Sequence, residues 1–288
     1  MAWTFFCTTD TMNIQQTLQH ASQQLTGTTD SPQLDAQILL AHALQKTRAH
    51  LFAWPEQNVD DAAQKNFQHL LAQRIKGHPI AHLIAQREFW SLNLNVTADT
   101  LIPRPETELL VEHILQLLPA TPQRVADLGT GSGAIALALA SERPLWQITA
   151  TDQSTAALDV ARNNAKKFKL KNIKFIAGDW FTPLSKQHYN AIISNPPYIA
   201  DNDAHLTQGD LRFEPVSALS SGADGLEDIR HITQHAMDYL LPDGLLMIEH
   251  GYDQMLQMKI LFEKNDFINI TQLFDLNNNP RATLAYKA

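Results

Sequence analysis

The spacing of apolar positions changes twice along this chain, and each change marks a different kind of element. Residues 12–78 carry helical spacing and no strand signal. Ser31-Pro32 predicts a helix start, with Ser31 as N-cap and Pro32 in the first helical position. Leu34, Ile38, Leu39, Ala41 and Leu44 then recur close to helical spacing. A further helix is expected from Asp60 to Lys76, ended by Gly77. Between them, Leu51-Phe52-Ala53-Trp54-Pro55 is expected to supply core for a small helical bundle. Over residues 86–103 the spacing switches to two: Phe89-Trp90-Ser91-Leu92-Asn93-Leu94-Asn95-Val96 alternates as a strand does. Leu101-Ile102 follows a polar turn, and the region reads as a hairpin linking two domains.

From residue 105 the pattern is a helix followed by repeated strand–helix units. Strands are expected near Arg124–Leu128, Gln147–Thr151, Ile173–Ala177, Ala191–Ser194 and Leu245–Glu249. Two late candidates fall near Ile268–Phe274 and Arg281–Tyr286. Helices intervene near 133–141, 155–168, 226–240 and 252–264. Such alternation implies an α/β fold with a parallel, doubly wound sheet. The expected division is 1–80 as a helical domain, 81–104 as a β-hairpin linker and 105–288 as the α/β domain. Asp201–Asp224 is the longest connection without a clear element, and long loops in compact domains tend to be functional.

Composition narrows the possible partners. The 288 residues are 44% hydrophobic and 18% charged, ordinary for a globular protein. A net charge of -8 lacks the basic excess that phosphate backbones select for. Up to residue 80 there are 5 Lys and Arg against 6 Asp and Glu, so the helical segment is no basic clamp. One cysteine, Cys7, excludes an intramolecular disulfide and fits a reducing compartment. No apolar stretch reaches membrane-spanning length. The apolar start lacks the basic region of a signal peptide, so the expected location is the cytoplasm. Residues 1–11 read as a loosely attached extension, with Met12 as an alternative start.

The chemistry is written most densely in Asn195-Pro196-Pro197-Tyr198. These residues end the apolar run Ala191-Ile192-Ile193-Ser194, and the Pro-Pro pair marks where the chain leaves a sheet. Pro197 holds Pro196 extended and turns its carbonyl away from any helix. The Asn195 side-chain oxygen and the Pro196 carbonyl could accept the two hydrogens of a planar NH2 group, with Tyr198 stacked on its plane. A second site is Asp127-Leu128-Gly129-Thr130-Gly131-Ser132-Gly133, between a strand and a helix. Glycines there let the backbone turn tightly and approach a ligand. Asp152 ends the next strand, 19 residues beyond Gly133, where an acid can bind both ribose hydroxyls. The loop also passes as a dinucleotide fingerprint, so the pair says only that the ligand contains adenosine. Asp127 beside the glycines favours a cationic ligand, as S-adenosylmethionine is, over an anionic pyrophosphate. Trp180 closes the third strand on the same rim and could pack against adenine.

Together these residues resemble the protein-(glutamine-N5) methyltransferases that modify peptide-chain release factors, the PrmC/HemK family. The resemblance is carried by Leu101-Ile102-Pro103-Arg104-Pro105-Glu106-Thr107-Glu108, the Asp127–Gly133 loop, Ser194-Asn195-Pro196-Pro197-Tyr198, Arg212-Phe213-Glu214-Pro215 and Arg87-Glu88-Phe89-Trp90, in the family's order from about residue 79. It implies a Rossmann-like S-adenosylmethionine-dependent methyltransferase sheet with a small N-terminal helical domain. It implies S-adenosyl-L-methionine as cofactor, with S-adenosyl-L-homocysteine as product. It places the cofactor on Asp127, Gly129, Thr130, Gly131, Ser132, Gly133, Asp152, Trp180 and Asn195. It places the glutamine on Asn195, Pro196, Pro197 and Tyr198, with Asn195, Pro196 and Tyr198 in the catalytic role. The partner it implies is the Gly-Gly-Gln loop of a release factor, with no direct nucleic acid and no membrane. The helical domain and hairpin would recognise that protein. Asn277-Asn278-Asn279-Pro280 stands where the family usually has a glycine turn, and Ala85 where a glycine is common. Neither touches the proposed chemistry.

Other features carry less. His231 and His235, like His78 and His82, have the spacing of a metal pair, but no third ligand pattern follows, so no metal is expected. Lys166, Lys167, Lys169, Lys171 and Lys174 read as a solvated helix end. Arg104 with Glu106, and Arg212 with Glu214, read as structural ion pairs near the site. Ser194 lacks a nucleophile elbow. The rival function is a nucleic-acid adenine N6-methyltransferase, because adenine offers the same planar NH2 edge. A non-enzymatic adaptor and an NAD-dependent dehydrogenase are the further alternatives, the last leaving Asn-Pro-Pro-Tyr unexplained.

Overall fold

The computed structural model describes residues 12–184 and 188–288; the extension read over residues 1–11 lies outside them. The chain divides into two compact units, one up to Ile84 and the other from Ala85 onward.

The first unit is helical. Helix α1 (Ile14–Leu25) starts on a capping box, in which Asn13 accepts from the Gln16 N–H and Gln16 reaches back. Helix α2 (Pro32–Leu44) begins at the expected proline. Ser31, however, makes no cap bond; its hydroxyl donates to Asp35 Oδ1 at 3.1 Å. Helix α3 (Arg48–Ala53) is one short turn and a half, and α4 (Asp61–Ile75) is capped by Asp60, which accepts from the Ala63 N–H. A final turn, α5 (Ile80–Leu83), ends the unit. Ile14, Leu25, Leu39, Leu40, Leu51, Phe67 and Leu71 form its core. The Leu51–Pro55 segment enters that core through Leu51 alone. Phe52 and Trp54 are 63% and 61% exposed, because so short a helix turns only one face inward.

The second unit opens on a hairpin of β1 (Gln86–Phe89) and β2 (Leu92–Asn95). The single strand expected over Phe89–Val96 is therefore broken. Trp90 and Ser91 both adopt positive φ, 49° and 59°, and form the tight two-residue turn. The hairpin belongs to this unit because Asn164, fully buried, grips it: its Nδ2 donates to the Asn95 carbonyl at 3.0 Å and its Oδ1 accepts the Asn95 N–H at 2.8 Å.

After α6 (Glu108–Leu117) come β3 (Arg124–Leu128), α7 (Ala134–Glu142), β4 (Gln147–Asp152), α8 (Thr155–Lys167), β5 (Ile173–Ala177), β6 (Tyr189–Ser194), α9 (Glu227–Ala236), β7 (Leu240–Glu249), α10 (Met255–Lys264), β8 (Ile268–Phe274) and β9 (Pro280–Tyr286). One sheet has the order β5-β4-β3-β6-β7-β9-β8. Its first five strands are parallel, as expected; β9 and β8 run antiparallel to their neighbours. Residues Val125 and Ala126 of β3 face opposite cores, one with α6 and α7, the other with α9 and α10. The Ala-rich α7 is buried all round, as befits a helix without a polar face. Asp201–Asp224 contains no α-helix or strand, only 3-10 turns at Ala204–Thr207, Leu211–Phe213 and Val216–Ala218. Among the described residues no helix is long and apolar enough to cross a membrane.

Candidate active site

In a doubly wound sheet, ligands bind at the carboxyl ends of the strands where the order reverses. Here that point lies between β3 and β6. Their register pairs Leu128 with Ser194, and the Ser194 hydroxyl donates to the Leu128 carbonyl at 2.8 Å. The glycine loop after Leu128 and Asn195 after Ser194 therefore leave the sheet side by side. Both border a cavity of about 230 Å³ whose lining also includes Leu101, Thr107, Asp152 and Trp180.

The loop is held from two sides. Thr130 donates its N–H to the Thr151 carbonyl at 2.9 Å, and Gly131 donates its own to Asp152 Oδ2 at 2.8 Å. Asp152 Oδ1 accepts the Ser154 N–H at 2.8 Å. Each Asp152 oxygen keeps acceptor capacity for a ligand hydroxyl. Burial raises the Asp152 pKa, opposed by these N–H groups. Asp127 lies beneath the loop and does not line the cavity. Its Oδ2 accepts the Thr130 hydroxyl at 2.6 Å and the Ala136 N–H at 3.2 Å. Burial pushes its carboxyl up to about 7, against the pull of the Thr130 hydroxyl. The structure thus gives Asp127 a supporting position, where the sequence suggested direct attraction of a cation.

Gly129 and Gly131 have φ of 70° and 55°, backbone that side-chain-bearing residues rarely adopt. A Cβ on Gly129 would stand 3.1 Å from the Trp180 ring, whereas a Cβ on Gly131 would meet nothing within 4 Å. The loop backbone is open at Gly131, Asp152 stands at the end of the next strand, and Trp180 offers a flat apolar ring. These residues fit an adenosine-bearing ligand.

Asn195 and Pro197 line the cavity; Pro196 and Tyr198 do not. The Asn195 amide donates to Thr107 Oγ1 at 3.2 Å. The Tyr198 ring packs against the core beneath α9 and α10, and its hydroxyl donates to Glu249 Oε1 at 3.4 Å. Burial raises the Tyr198 pKa, and the Glu249 charge adds to it. Glu249 is itself buried, which pushes its pKa up to about 7 against the Thr107 and Tyr198 hydroxyls. Thr107 and Glu249 escaped the sequence reading as site residues. The available signal was a carboxylate at the carboxyl end of an expected strand.

One ion pair near the site crosses between segments. Arg104 pairs with Glu214, and Glu214 Oε2 also accepts the Ile102 N–H at 2.8 Å. Arg212 lies over the Phe213 ring at 4.8 Å. Lys167 is not merely solvated: its ammonium donates to the Asn93 carbonyl at 2.6 Å and to Asn95 Oδ1 at 3.0 Å. The His231 and His235 rings lie 4.4 Å apart, and no group of three or more potential metal ligands occurs among the described residues.

Family models match in two places: the PrmC N-terminal domain over residues 16–84 and the methyltransferase small domain over residues 105–213. The chain is 48% identical to a release factor glutamine methyltransferase of Coxiella burnetii over 275 residues, covering 95% of this chain and 99% of that one. It is 44% identical to the protein of the same name from Escherichia coli, over 95% and 98% of the two chains. A methyltransferase from Pyrococcus furiosus has a similar fold, with a TM-score of 0.54 at 16% identity over 77% of this chain and 99% of that one.

Proposed function

The chain belongs to the release factor glutamine methyltransferase family, and from that premise we propose that it methylates the side-chain amide N5 of the glutamine in the Gly-Gly-Gln motif of peptide chain release factors. The donor is S-adenosyl-L-methionine, which supplies an electrophilic sulfonium methyl group when bound. Asp152, Trp180 and the Gly129–Gly133 backbone are the residues that would hold it. One observation carries the reading: the Leu128–Ser194 pairing sets the cofactor loop and Asn195 on one rim of one cavity.

An amide nitrogen is a poor nucleophile because its lone pair is delocalised. Asn195 Oδ1 and the Pro196 carbonyl would accept its two hydrogens, aim the nitrogen and favour its loss of planarity. Orientation of this kind contributes on the order of 7–11 kcal/mol in the best cases. Tyr198, packed into the core, would brace the rim. The helical unit would recognise the release factor. The acidic balance of -8 speaks against a nucleic-acid substrate, and the single cysteine suits the cytoplasm.

The test is mass spectrometry of an unmodified release factor after incubation with the protein and S-adenosyl-L-methionine. A one-methyl gain on the Gly-Gly-Gln glutamine is expected. Methylation of an adenine in duplex DNA or RNA, with none on the release factor, would overturn the reading. Asn195→Ala is expected to abolish turnover while cofactor affinity changes little.

A further inference from the structure

The two central residues of the Asn195–Tyr198 rim, Pro196 and Pro197, have no backbone N–H to give. The course of the rim is therefore set at its ends. At the near end Ser194 is locked to Leu128. At the far end the Tyr198 carbonyl is gripped by a side chain that the reading above does not use. Gln254 lies between β7 and α10 and is 7% exposed. Its Nε2 donates to the Tyr198 carbonyl at 2.9 Å and reaches the Gly225 carbonyl at 3.5 Å. Its Oε1 accepts the Gly251 N–H at 2.8 Å. Gly225 closes the other side: its φ is 73°, and a Cβ there would overlap the Tyr198 carbonyl. Ile199, the next residue, is tied to the Leu219 carbonyl and the Ser221 N–H, each at 2.9 Å.

Chemistry fixes which way round Gln254 stands. A backbone N–H only donates and a carbonyl only accepts. The Gln254 oxygen must therefore face Gly251, and its NH2 must face Tyr198. Both ends of this amide are spent inside the fold, and Gln254 does not line the cavity. Resting on the reading that Asn195 Oδ1 and the Pro196 carbonyl accept from the substrate amide, we propose that Gln254 is a positioning residue for that rim. It pins the Tyr198 carbonyl, and so sets the angle at which the Pro196 carbonyl, two residues upstream, meets the substrate nitrogen. With that grip lost, the Tyr198 peptide can rotate, and the two acceptors no longer stand as one NH2 group needs them.

Steady-state kinetics with a release factor, together with calorimetric S-adenosyl-L-methionine binding, test the idea on two variants of the full chain at a series of pH values. Gln254→Met keeps length and bulk and has no donor. Gln254→Glu keeps the acceptor for Gly251. Ionised, it sets a charge against the Tyr198 carbonyl; protonated, its O–H donates to that carbonyl again. Burial moves the pKa of such a carboxyl upward, toward the working range of the enzyme. At alkaline pH both variants are expected to lower kcat by about tenfold to a hundredfold, the scale of a misplaced reacting group. KM for the release factor and cofactor affinity should change much less. As the pH falls, kcat of Gln254→Glu, taken as a ratio to wild type, should recover, while the ratio for Gln254→Met stays flat. The ratio removes the titration of Tyr198, Glu249, His250 and Asp253, which surround Gln254 in every variant. A flat ratio for Gln254→Glu, or cofactor affinity lost in step with kcat, would reduce Gln254 to a packing role and overturn the proposal. Wild-type kcat in both variants, beside an inactive Asn195→Ala, would overturn it and leave the rim reading standing. Normal turnover in Asn195→Ala would overturn the rim reading itself, and the proposal with it.

Discussion

The Ile102 N–H donates to Glu214 Oε2 at 2.8 Å, across 112 residues of sequence. Through it the segment before the Arg-Pro-Glu-Thr-Glu run is tied to the 211–218 loop, and both contribute lining to the cavity. The Glu214 side chain is fully buried and also pairs with Arg104. Glu214→Ala would leave a backbone donor unpaired and a guanidinium without its counter-ion. Destabilisation of roughly 1–3 kcal/mol is expected, the range for a buried group losing its partner. Chemical denaturation measures it, and an unchanged midpoint would deny Glu214 this role.

The two glycines of the loop should fail in different ways. Gly129→Ala brings a methyl to 3.1 Å from Trp180 as well as imposing left-handed backbone. Gly131→Ala has free space around it and imposes the backbone strain alone, roughly 1–2 kcal/mol for an L-residue. In the absence of ligand, Gly129→Ala should therefore be the less stable variant by thermal unfolding. The open space at Gly131 is where a ligand would approach the backbone, so Gly131→Ala should show its main effect in S-adenosyl-L-methionine affinity. Equal behaviour of the two in both measurements would contradict the geometry.

Much of this arrangement was legible from pattern. Apolar-rich stretches bounded by polar or glycine residues placed β3, β5 and β8 at their observed bounds. The hairpin itself was legible, but its turn was placed after Val96, because Trp90 and Ser91 carry none of the glycine or asparagine that marks such a turn. Phe52 and Trp54 were read as core because apolarity alone does not say which face of a short helix is buried. The ion pairs were drawn between sequence neighbours, whereas the chain folds Arg104 onto Glu214 from a loop more than a hundred residues away. Glu249 was seen only as the end of a strand. Its contact with Tyr198, 51 residues away, appears only in the fold.

Asp127 links the loop to pH. Its carboxyl sits near 7 in the folded protein, against 3.8 when exposed. A raised acid favours folding in its protonated form. Its contribution is fully present below about pH 4 and is lost as the pH rises through about 7. Glu249, also pushed up to about 7, adds a loss of the same sign. Asp127→Asn stays neutral throughout and its amide oxygen still accepts from Thr130. The fall in Tm between pH 4 and pH 7 should therefore be shallower in this variant than in the wild type, as calorimetry would read it. Parallel curves would mean that Asp127 is not the titrating group.

The helical unit offers a way to separate substrate recognition from cofactor binding. Arg74 donates from Nε to Asp35 Oδ2 at 2.8 Å, with only 10% and 6% of the two side chains exposed. Its other nitrogens donate to the His78 carbonyl at 2.9 Å and to Thr29 Oγ1 at 3.2 Å. This one guanidinium thus joins the start of α2 to the end of α4. Asp35→Ala removes one counter-ion of this buried guanidinium, and breaking a buried pair costs up to roughly 3–5 kcal/mol. The damage falls on the first unit, whose core is separate from the two that flank the sheet. Calorimetry with S-adenosyl-L-methionine should find affinity close to wild type. On the proposal that this unit recognises the release factor, the KM for a release factor should rise as the unit loses its shape. Loss of cofactor affinity equal to the loss in release-factor turnover would show that the two tasks are not divided between the units in this way.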